Sequence, residues 1–207
     1  MNIECIPTGM YEANCLFLWN DPNQVWVVDP GADGDALVKA LRKRKLTPCL
    51  VLLTHGHFDH IGAVNEIVKA YPGIPVYLSA LDAEFAFSPV NQTYGYPPTE
   101  RPATLDTSFG DGDTLSAGGL SARILQTPGH TPGSRCFYFK ANKVLVTGDT
   151  LFCGSCGRTD FPGGSWKEMG ESLKRLRQLP DDTVVWCGHG PDTTIAQEKQ
   201  GNPYFRE

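Results

Sequence analysis

Residues 51–62, VLLTHGHFDHIG, carry three of the five histidines of the chain within six positions. The apolar residues at the start of this stretch predict a buried strand, and the glycine and polar residues after it predict a turn that leads into a helix. His55, His57, Asp59 and His60 therefore lie between a strand end and a helix start. Imidazole nitrogens and carboxylate oxygens are ligands that Zn²⁺, Fe and Mn accept in proteins. We expect this segment to supply several ligands of a metal site.

The two other histidines and one aspartate occupy similar places further along the chain. His130 lies in TPGHTPG, Asp149 in TGDT and His189 in CGHG, each beside glycine and at the end of a predicted strand. Histidines used for ordinary packing would be scattered over helices and sheet faces, whereas all five lie in predicted turns. We therefore predict one metal site that is assembled from several loops.

The composition of the chain argues against several classes of protein. The net charge of −5 and the isoelectric point near 5.5 do not suit a nucleic-acid-binding surface, which needs a broad basic face. No segment approaches the roughly 18 apolar residues of a membrane span, and the first residues do not resemble a leader. The seven cysteines, an odd number, favour reduced thiols. We expect a cytoplasmic protein that binds neither nucleic acid nor membrane; its oligomeric state stays open.

The hydrophobic pattern predicts strands and helices throughout, without a linker or repeat that would divide the chain. Apolar residues at helical spacing predict one helix over 59–71, directly after the histidine turn. Closely spaced prolines without a sustained period predict a long loop over 88–109, which is either a functional lid or a mobile segment. Because every candidate ligand follows a strand, we predict two sheets that meet at a shared rim, with helices outside them, in one domain over residues 1–207.

The motifs together resemble those of a known family. THGHFDHIG, TPGHTPGS, TGDTLF and CGHG follow one another in this order, with VDPG at 28–31 before them. This series resembles the metallo-β-lactamase superfamily over almost the whole chain. GRTDFPGG at 157–164 is most similar to a short, single-domain group of glyoxalase II-like, or hydroxyacylglutathione hydrolase-like, proteins. The resemblance implies an α/β (α+β) fold, a four-layer αββα sandwich with the metal site at the shared rim, and no separate C-terminal helical substrate domain.

The resemblance also implies a ligand set for two divalent metal ions. It assigns three ligands to each ion and one to both: His55, His57 and His130 to the first, Asp59, His60 and His189 to the second, and Asp149 as the bridge. Zinc is the expected metal, and iron or manganese would suit the same ligands. A metal-bound hydroxide, available near neutral pH, would attack a carbonyl carbon. Asp59 and His60 are the expected catalytic residues, Asp59 by orienting that hydroxide.

Several activities of this superfamily share the metal site, and the motifs favour one of them. They most resemble the glyoxalase II enzymes, so we expect hydrolysis of a thioester of the acyl-glutathione type. GRTDF is also similar to the persulfide dioxygenases, which would use one iron on His55, His130 and Asp149. Another metallo-hydrolase activity, on a lactone or a phosphodiester, and a non-catalytic metal-binding scaffold are further alternatives.

The substrate pocket is expected to combine a cation with aromatic side chains. Three segments would form it: residues 10–11, 94–101 and 152–161. The candidate substrate-binding residues are Arg158, Tyr94, Tyr96, Arg101 and Phe152. Arg158 would bind an anionic group of the substrate, or it would instead brace its own loop through an ion pair with Asp160 or Asp111.

Overall fold

Two six-stranded β-sheets form the centre of the computed structural model, which describes residues 1–206. The first sheet consists of β1 Asn2–Thr8, β2 Ala13–Trp19, β3 Val25–Val28, β4 Pro48–Leu52, β5 Val76–Tyr77 and β6 Leu105–Asp106. β1 to β3 pair antiparallel, and the pairing is parallel from β3 onward. Parallel strands need crossover connections, and helices lie in them. These helices are α1 Gly34–Arg44, α2 Phe58–Ile61, α3 Val64–Ala70 and α4 Ala80–Ala86.

The second sheet comes from the C-terminal half of the chain. It consists of β7 Thr114–Ala117, β8 Leu120–Gln126, β9 Arg135–Phe139, β10 Val144–Gly148, β13 Val184–Cys187 and β14 Thr193–Thr194. Between β10 and α5 Trp166–Arg177, the chain forms a hairpin of β11 Leu151–Phe152 and β12 Ser155–Cys156. α5 crosses over to β13, which is parallel to β10, and α6 Ile195–Gly201 follows β14. Across residues 1–206, no helix combines the length and the apolar composition that a membrane span requires.

Three apolar cores separate the four layers of the molecule. Alternate residues of β2 point to opposite faces of the first sheet, so Phe17 joins the core beneath α1, α3 and α4, whereas Leu16 and Leu18 join the core between the sheets. On the outer face of the second sheet, Met169 and Leu173 of α5 pack in the third core. The removal of these side chains from water holds the layers together. The predicted αββα sandwich is confirmed.

Hydrogen bonds between strand ends join the two sheets at one rim. The backbone N–H of Arg135, at the start of β9, donates to the carbonyl of Thr54, just after β4, at 2.9 Å. Asn14 of β2 reaches across the same rim. Its backbone N–H donates to the Gly188 carbonyl (2.7 Å), and its side-chain amide donates to the Cys187 carbonyl (3.0 Å). These bonds therefore join β4 to β9 and β2 to β13 at one edge of the sandwich.

The single helix predicted over 59–71 was wrong, because the structure has two helices, α2 and α3, with a break between them. Gly62 approaches the VDPG turn so closely that a Cβ atom on it would lie 2.3 Å from the Gly31 carbonyl oxygen. Ala63 donates its backbone N–H to the Pro30 carbonyl (2.9 Å). The break therefore ties the histidine turn to the end of β3.

A second difference concerns the long loop predicted over 88–109. Its last part forms β6, which pairs in parallel with β5 and completes the first sheet. A strand of two residues is too short for alternation to reveal it in the sequence.

Candidate metal centre

Seven imidazole and carboxylate side chains meet at the rim where the two sheets join. Each follows a strand directly or lies in the turn or helix after it, so regular structure fixes the course of its backbone. His55, His57, Asp59 and His60 follow β4, whereas His130, Asp149 and His189 follow β8, β10 and β13. The structure brings together all the residues that the sequence predicted as ligands of two metal ions.

These side chains form three overlapping groups, and within each group the ligand atoms lie within 4.8 Å of one another. The first, called here the three-histidine group, consists of His55, His57 and His130. The second consists of His55, His60 and Asp149. The third, called here the His189 group, consists of Asp59, His60 and His189. His57 Nδ1 lies 2.8 Å from His130 Nε2, and His60 Nε2 lies 3.3 Å from His189 Nε2. The Asp149 carboxylate lies 3.3 Å from His60 Nε2 and 3.4 Å from His130 Nε2, between the two named groups.

Hydrogen bonds fix the tautomer of four of the five imidazoles. Three of these rings donate Nδ1–H to a fixed acceptor. His60 donates to Asp29 Oδ2 (2.9 Å), His130 donates to the Arg158 carbonyl (2.7 Å), and His189 donates to the Tyr11 carbonyl (2.9 Å). Thr54 donates its hydroxyl hydrogen to Asp29 (2.6 Å), so the hydroxyl oxygen accepts from Nδ1–H of His55 at 3.0 Å. In its neutral form, each of these rings keeps the lone pair of Nε2, as a metal-binding histidine requires.

The charges of the centre suit a metal ion. Burial and the neighbouring imidazoles of His60 and His130 hold the pKa of His55 well below its usual value. Burial and His130 lower the pKa of His57 to about 4. Burial disfavours a charge on Asp149, but the combined attraction of His60, His130 and His189 outweighs it and holds the pKa of this carboxyl below its usual range. Neutral imidazole and ionised carboxylate are the forms that bind metals. Against the effect of burial, Asp149 and Asp59 raise the pKa of both His60 and His189, so a metal ion would displace a proton from these two rings.

Two buried atoms of the centre show that the residues present fit such an ion. Within residues 1–206, His55 Nε2 and Asp149 Oδ1 are buried without a hydrogen-bond partner. An unpaired buried polar atom costs about 1–3 kcal/mol. A divalent cation between the groups would satisfy both atoms, and nitrogen and carboxylate donors suit zinc, iron and manganese.

A cavity of about 820 Å³ opens onto this centre. Five candidate ligands line it: His57, Asp59, His130, Asp149 and His189. Much of the remaining lining is aromatic, and these residues, called here the aromatic wall, are Tyr11, Phe58, Phe85, Phe152 and Phe161. His60 is fully buried and does not reach the cavity. A concave site with apolar walls and a few polar groups is typical of a small-molecule pocket.

The sequence of the chain matches the Metallo-beta-lactamase superfamily over residues 8–189, a range that includes every candidate ligand. The chain belongs to the metallo-β-lactamase superfamily. Hydroxyacylglutathione hydrolase GloC of Haemophilus influenzae is 38% identical to this superfamily member over 211 residues, which cover 99% of this chain and 98% of GloC. The crystal structure of BLEG-1 B3 metallo-beta-lactamase matches with a TM-score of 0.90 and 38% identity over 99% of each chain. TTHA1623, in a di-iron-bound form, matches with a TM-score of 0.87 and 35% identity over 97% of this chain and 99% of its own.

Three of the substrate-binding residues predicted from the sequence lie outside the cavity of this metallo-β-lactamase superfamily member. Tyr94 is 89% exposed at the surface. Tyr96 is buried behind the aromatic wall, with its ring centroid 5.1 Å from that of Phe58, and so supports the wall without forming its surface. Arg101 forms an exposed ion pair with Glu84 at 3.1 Å.

The two other predicted substrate-binding residues, Phe152 and Arg158, line the cavity. The Arg158 guanidinium donates two hydrogen bonds of 2.6 Å to the carboxylate of Asp160 and lies 4.1 Å from the ring centroid of Phe161. Of the two ion pairs that the sequence left open for Arg158, the structure has the one with Asp160 and not the one with Asp111. The charge of Arg158 is therefore already balanced within its own loop.

Other side chains that complete the site had no role in the predictions from sequence. Asp29 accepts hydrogen bonds from Thr54 and orients His60, and the VDPG motif marks its position without revealing these partners. Asp82 holds two ligand-bearing loops, but no motif includes it. Phe58 and Phe85 line the cavity although their sequence positions suit ordinary helix residues.

Proposed function

We propose that the protein is a metal-dependent hydrolase that cleaves acyl thioesters of the acyl-glutathione type. The observation that carries this proposal is the convergence of seven candidate ligands beside a cavity that is also lined by five aromatic side chains. The ligands can hold metal ions next to a bound carbonyl group, and the wall can pack the apolar part of an acyl group. The 38% identity with hydroxyacylglutathione hydrolase GloC, over nearly the full length of both chains, supports this substrate class.

The proposed enzyme uses two divalent metal ions, zinc in the first place, with iron or manganese as alternatives. The three-histidine group would hold one ion and the His189 group the other, with Asp149 between them. Support comes from the overlap of the groups and from TTHA1623, which is 35% identical and has been crystallised in a di-iron-bound form. A site with one ion would leave one of the two groups without a function.

The reaction is hydrolysis of the thioester to a carboxylic acid and a thiol. When bound, the two ions would supply Lewis acidity to the carbonyl oxygen and make water more acidic near neutral pH. Although burial disfavours its charge, Asp59 has its pKa held below the usual value by His60 and by a hydrogen bond from His189. Its ionised carboxylate lines the cavity and can accept a hydrogen bond from the attacking water, which orients that water. His60 is fully buried, so we assign it the role of a ligand.

The aromatic wall would exclude water from the acyl group. Phe161 approaches His57 with ring centroids 5.3 Å apart, and Tyr11 packs on Phe58 at 5.5 Å, so the wall begins directly beside the ligands. A thioester carbonyl at the metal centre would therefore place its apolar substituents against aromatic rings. Because Arg158 is already paired, the anionic parts of glutathione would contribute less to binding than the acyl side does.

Elemental metal analysis, combined with parallel assays on S-lactoylglutathione and on glutathione persulfide with an oxygen electrode, tests the proposal. We expect two metal ions per chain, thioester cleavage and no oxygen uptake. Removal of the metal with a chelator should abolish turnover, and added zinc should restore it.

The same measurements, extended to a lactone and a phosphodiester as substrates, separate the alternatives. One iron per chain with oxygen uptake would overturn the proposal in favour of a persulfide dioxygenase that uses His55, His130 and Asp149. Cleavage of a lactone or a phosphodiester without thioesterase activity would retain the metal centre and replace the substrate class. Bound metal with no turnover of any of these substrates would indicate a scaffold.

A further inference from the structure

Asp82 of α4 connects the two loops that carry the three-histidine group. Its side chain is 1% exposed. In the first of these loops, Gly56 donates its backbone N–H to Asp82 Oδ2 at 2.9 Å. In the loop of His130, the Thr131 hydroxyl donates to the same oxygen at 2.7 Å, and the Gly133 N–H donates to Oδ1 at 2.7 Å. One buried carboxylate therefore sets the separation of two loops that are distant in the sequence.

Asn91, which follows α4 in the chain, holds the opposite side of the first loop. Its side-chain amide donates to the Gly56 carbonyl (2.8 Å), and its side-chain oxygen accepts from the Phe58 N–H (3.1 Å). These two bonds hold the peptide groups on either side of His57. The loop also lies directly on α4, because a Cβ atom on Gly56 would be 3.1 Å from that of Asp82. The backbone around His57 is thus fixed from α4 and the residues after it.

His57 depends on this backbone more than the other histidines do. The other four donate Nδ1–H to a group outside the ligand set. In the part of the chain that the structure describes, the His57 ring has no such hydrogen bond. Its Nδ1 faces His130 at 2.8 Å, and Phe85 and Phe161 flank the ring with centroids at 5.6 and 5.3 Å. Backbone position, rather than a hydrogen bond to the ring, therefore aims this ligand.

We propose that Asp82 is a positioning residue that sets the metal affinity of the three-histidine group without setting that of the His189 group. This inference rests on the proposed metal centre. The three hydrogen bonds of Asp82 go to the loops of the three-histidine group, whereas Asp29 and the Tyr11 carbonyl hold the rings of His60 and His189. Loss of an outer partner of a metal ligand typically weakens metal binding about 10- to 100-fold. Loss of the Asp82 carboxylate should therefore weaken one group selectively.

Zinc titration of Asp82→Asn in two backgrounds tests the proposal. His189→Ala leaves the three-histidine group complete, and His57→Ala leaves the His189 group complete. Asparagine has nearly the shape of aspartate but only one acceptor oxygen, so it cannot accept all three hydrogen bonds. In the His189→Ala background we expect Asp82→Asn to weaken zinc binding by about tenfold or more, and in the His57→Ala background by less than about twofold.

Glu84→Gln is the matched control, because it makes the same charge change on the same helix at a side chain that is 92% exposed. It should leave zinc affinity unchanged in both backgrounds. Circular dichroism and the unfolding midpoint of the metal-free variants report whether the fold is retained. If Asp82→Asn does not fold, Thr131→Val removes one of the three hydrogen bonds and should weaken zinc binding about fivefold in the His189→Ala background alone.

Three results would overturn the proposal. An equal loss of affinity in both backgrounds would make Asp82 a general support of the fold, and no loss in the His189→Ala background would deny it any role in positioning. If the unaltered protein binds no zinc, iron or manganese, the proposed metal centre itself fails, and the role of Asp82 fails with it.

Discussion

The candidate ligands and the aromatic wall meet at one cavity but are held in different ways. His55 is 1% exposed, and its ring is held by a chain of hydrogen bonds through Thr54 to Asp29. Phe85 and Phe161 are each 39% exposed and touch their neighbours through ring contacts. Metal coordination tolerates errors of only about 0.2 Å, whereas apolar contact has no fixed direction. The ligand side therefore needs a rigid hydrogen-bonded frame, and the wall does not.

This difference predicts two kinds of mutational effect. Changes among the candidate ligands and their hydrogen-bond partners should lower metal content and kcat together, because the proposed reaction depends on bound metal ions. Changes in the wall should raise KM and leave metal content unchanged, because the wall contributes binding without touching the ions. The following predictions test that separation, from the largest expected effect to the smallest.

Asp149→Ala should have the largest effect, because this carboxylate lies between both groups of ligands. We expect the metal content and the thioesterase turnover each to fall more than about 100-fold. Loss of an outer partner of a ligand typically causes at most a change of that size, and Asp149 is a candidate ligand itself. Elemental analysis and steady-state kinetics measure the two losses. Asp182→Ala, which removes an exposed partner of Lys143, is the control and should change neither. Full metal occupancy in Asp149→Ala would break the assignment of Asp149 as a bridge.

Asp29→Asn should weaken both ligand groups, in contrast to the selective effect proposed for Asp82. Asp29 orients His60 directly and His55 through Thr54, so its loss reaches one ligand of each group. We expect zinc affinity to fall about 10- to 100-fold in both the His57→Ala and the His189→Ala backgrounds. Asp33→Asn, whose carboxylate accepts from the Gly9 N–H, is the control in the neighbouring turn. A loss confined to one background would show that only one of the two histidines depends on Asp29.

The two sides of the cavity also differ in how far the sequence could predict them. Histidines and carboxylates that could bind a metal follow a local succession of strand, turn and helix, so the motifs predicted all seven candidate ligands that the structure brings together. Asp82 could not be found in this way, because its partners Thr131 and Gly133 are 49 and 51 residues away in the sequence. Only the packing of α4 against both loops brings them together.

The wall was harder to predict because many residue types can supply apolar contact. The sequence placed substrate contacts in the loop around Tyr94, yet that side chain points to solvent and Tyr96 packs behind the wall. Phe85 of α4 has the spacing of an ordinary helix residue, and only the approach of α4 to His57 turns it toward the cavity. The helix break at Gly62 also escaped prediction, because it coincides with tertiary contacts that Gly62 and Ala63 make with the turn after β3.

Phe161→Ala tests the wall directly. We expect KM for an acyl thioester to rise about tenfold, which corresponds to the loss of part of the burial of one aromatic side chain, with kcat and metal content nearly unchanged. Steady-state kinetics and elemental analysis on the same preparation measure these quantities. Trp166→Ala removes another aromatic side chain, 56% exposed and packed on Tyr204, and should leave KM unchanged. If Phe161→Ala also lost metal, the aromatic wall would contribute to metal binding, and the proposed distinction between the wall and the candidate ligands would be wrong.

Asp160→Asn should have the smallest effect and should act on only one class of substrate. It leaves the Arg158 guanidinium without its paired carboxylate, so an anionic group of the substrate can bind there. Exposed ion pairs are worth little, so we expect KM for S-lactoylglutathione to fall by only about two- to threefold at low salt. This gain should disappear near 1 M salt, where charges are screened beyond about 3 Å.

A thioester of the same acyl group with an uncharged thiol portion provides the internal comparison for Asp160→Asn, and its KM should not change. Asp182→Asn makes the same charge change beside Lys143, at a distant exposed pair, and should leave both substrates unaffected. An equal fall in KM for both substrates would mean that the substitution reshapes the loop rather than freeing a cation. A fall for the anionic substrate alone would separate recognition of the thiol portion, through Arg158, from recognition of the acyl portion by the aromatic wall.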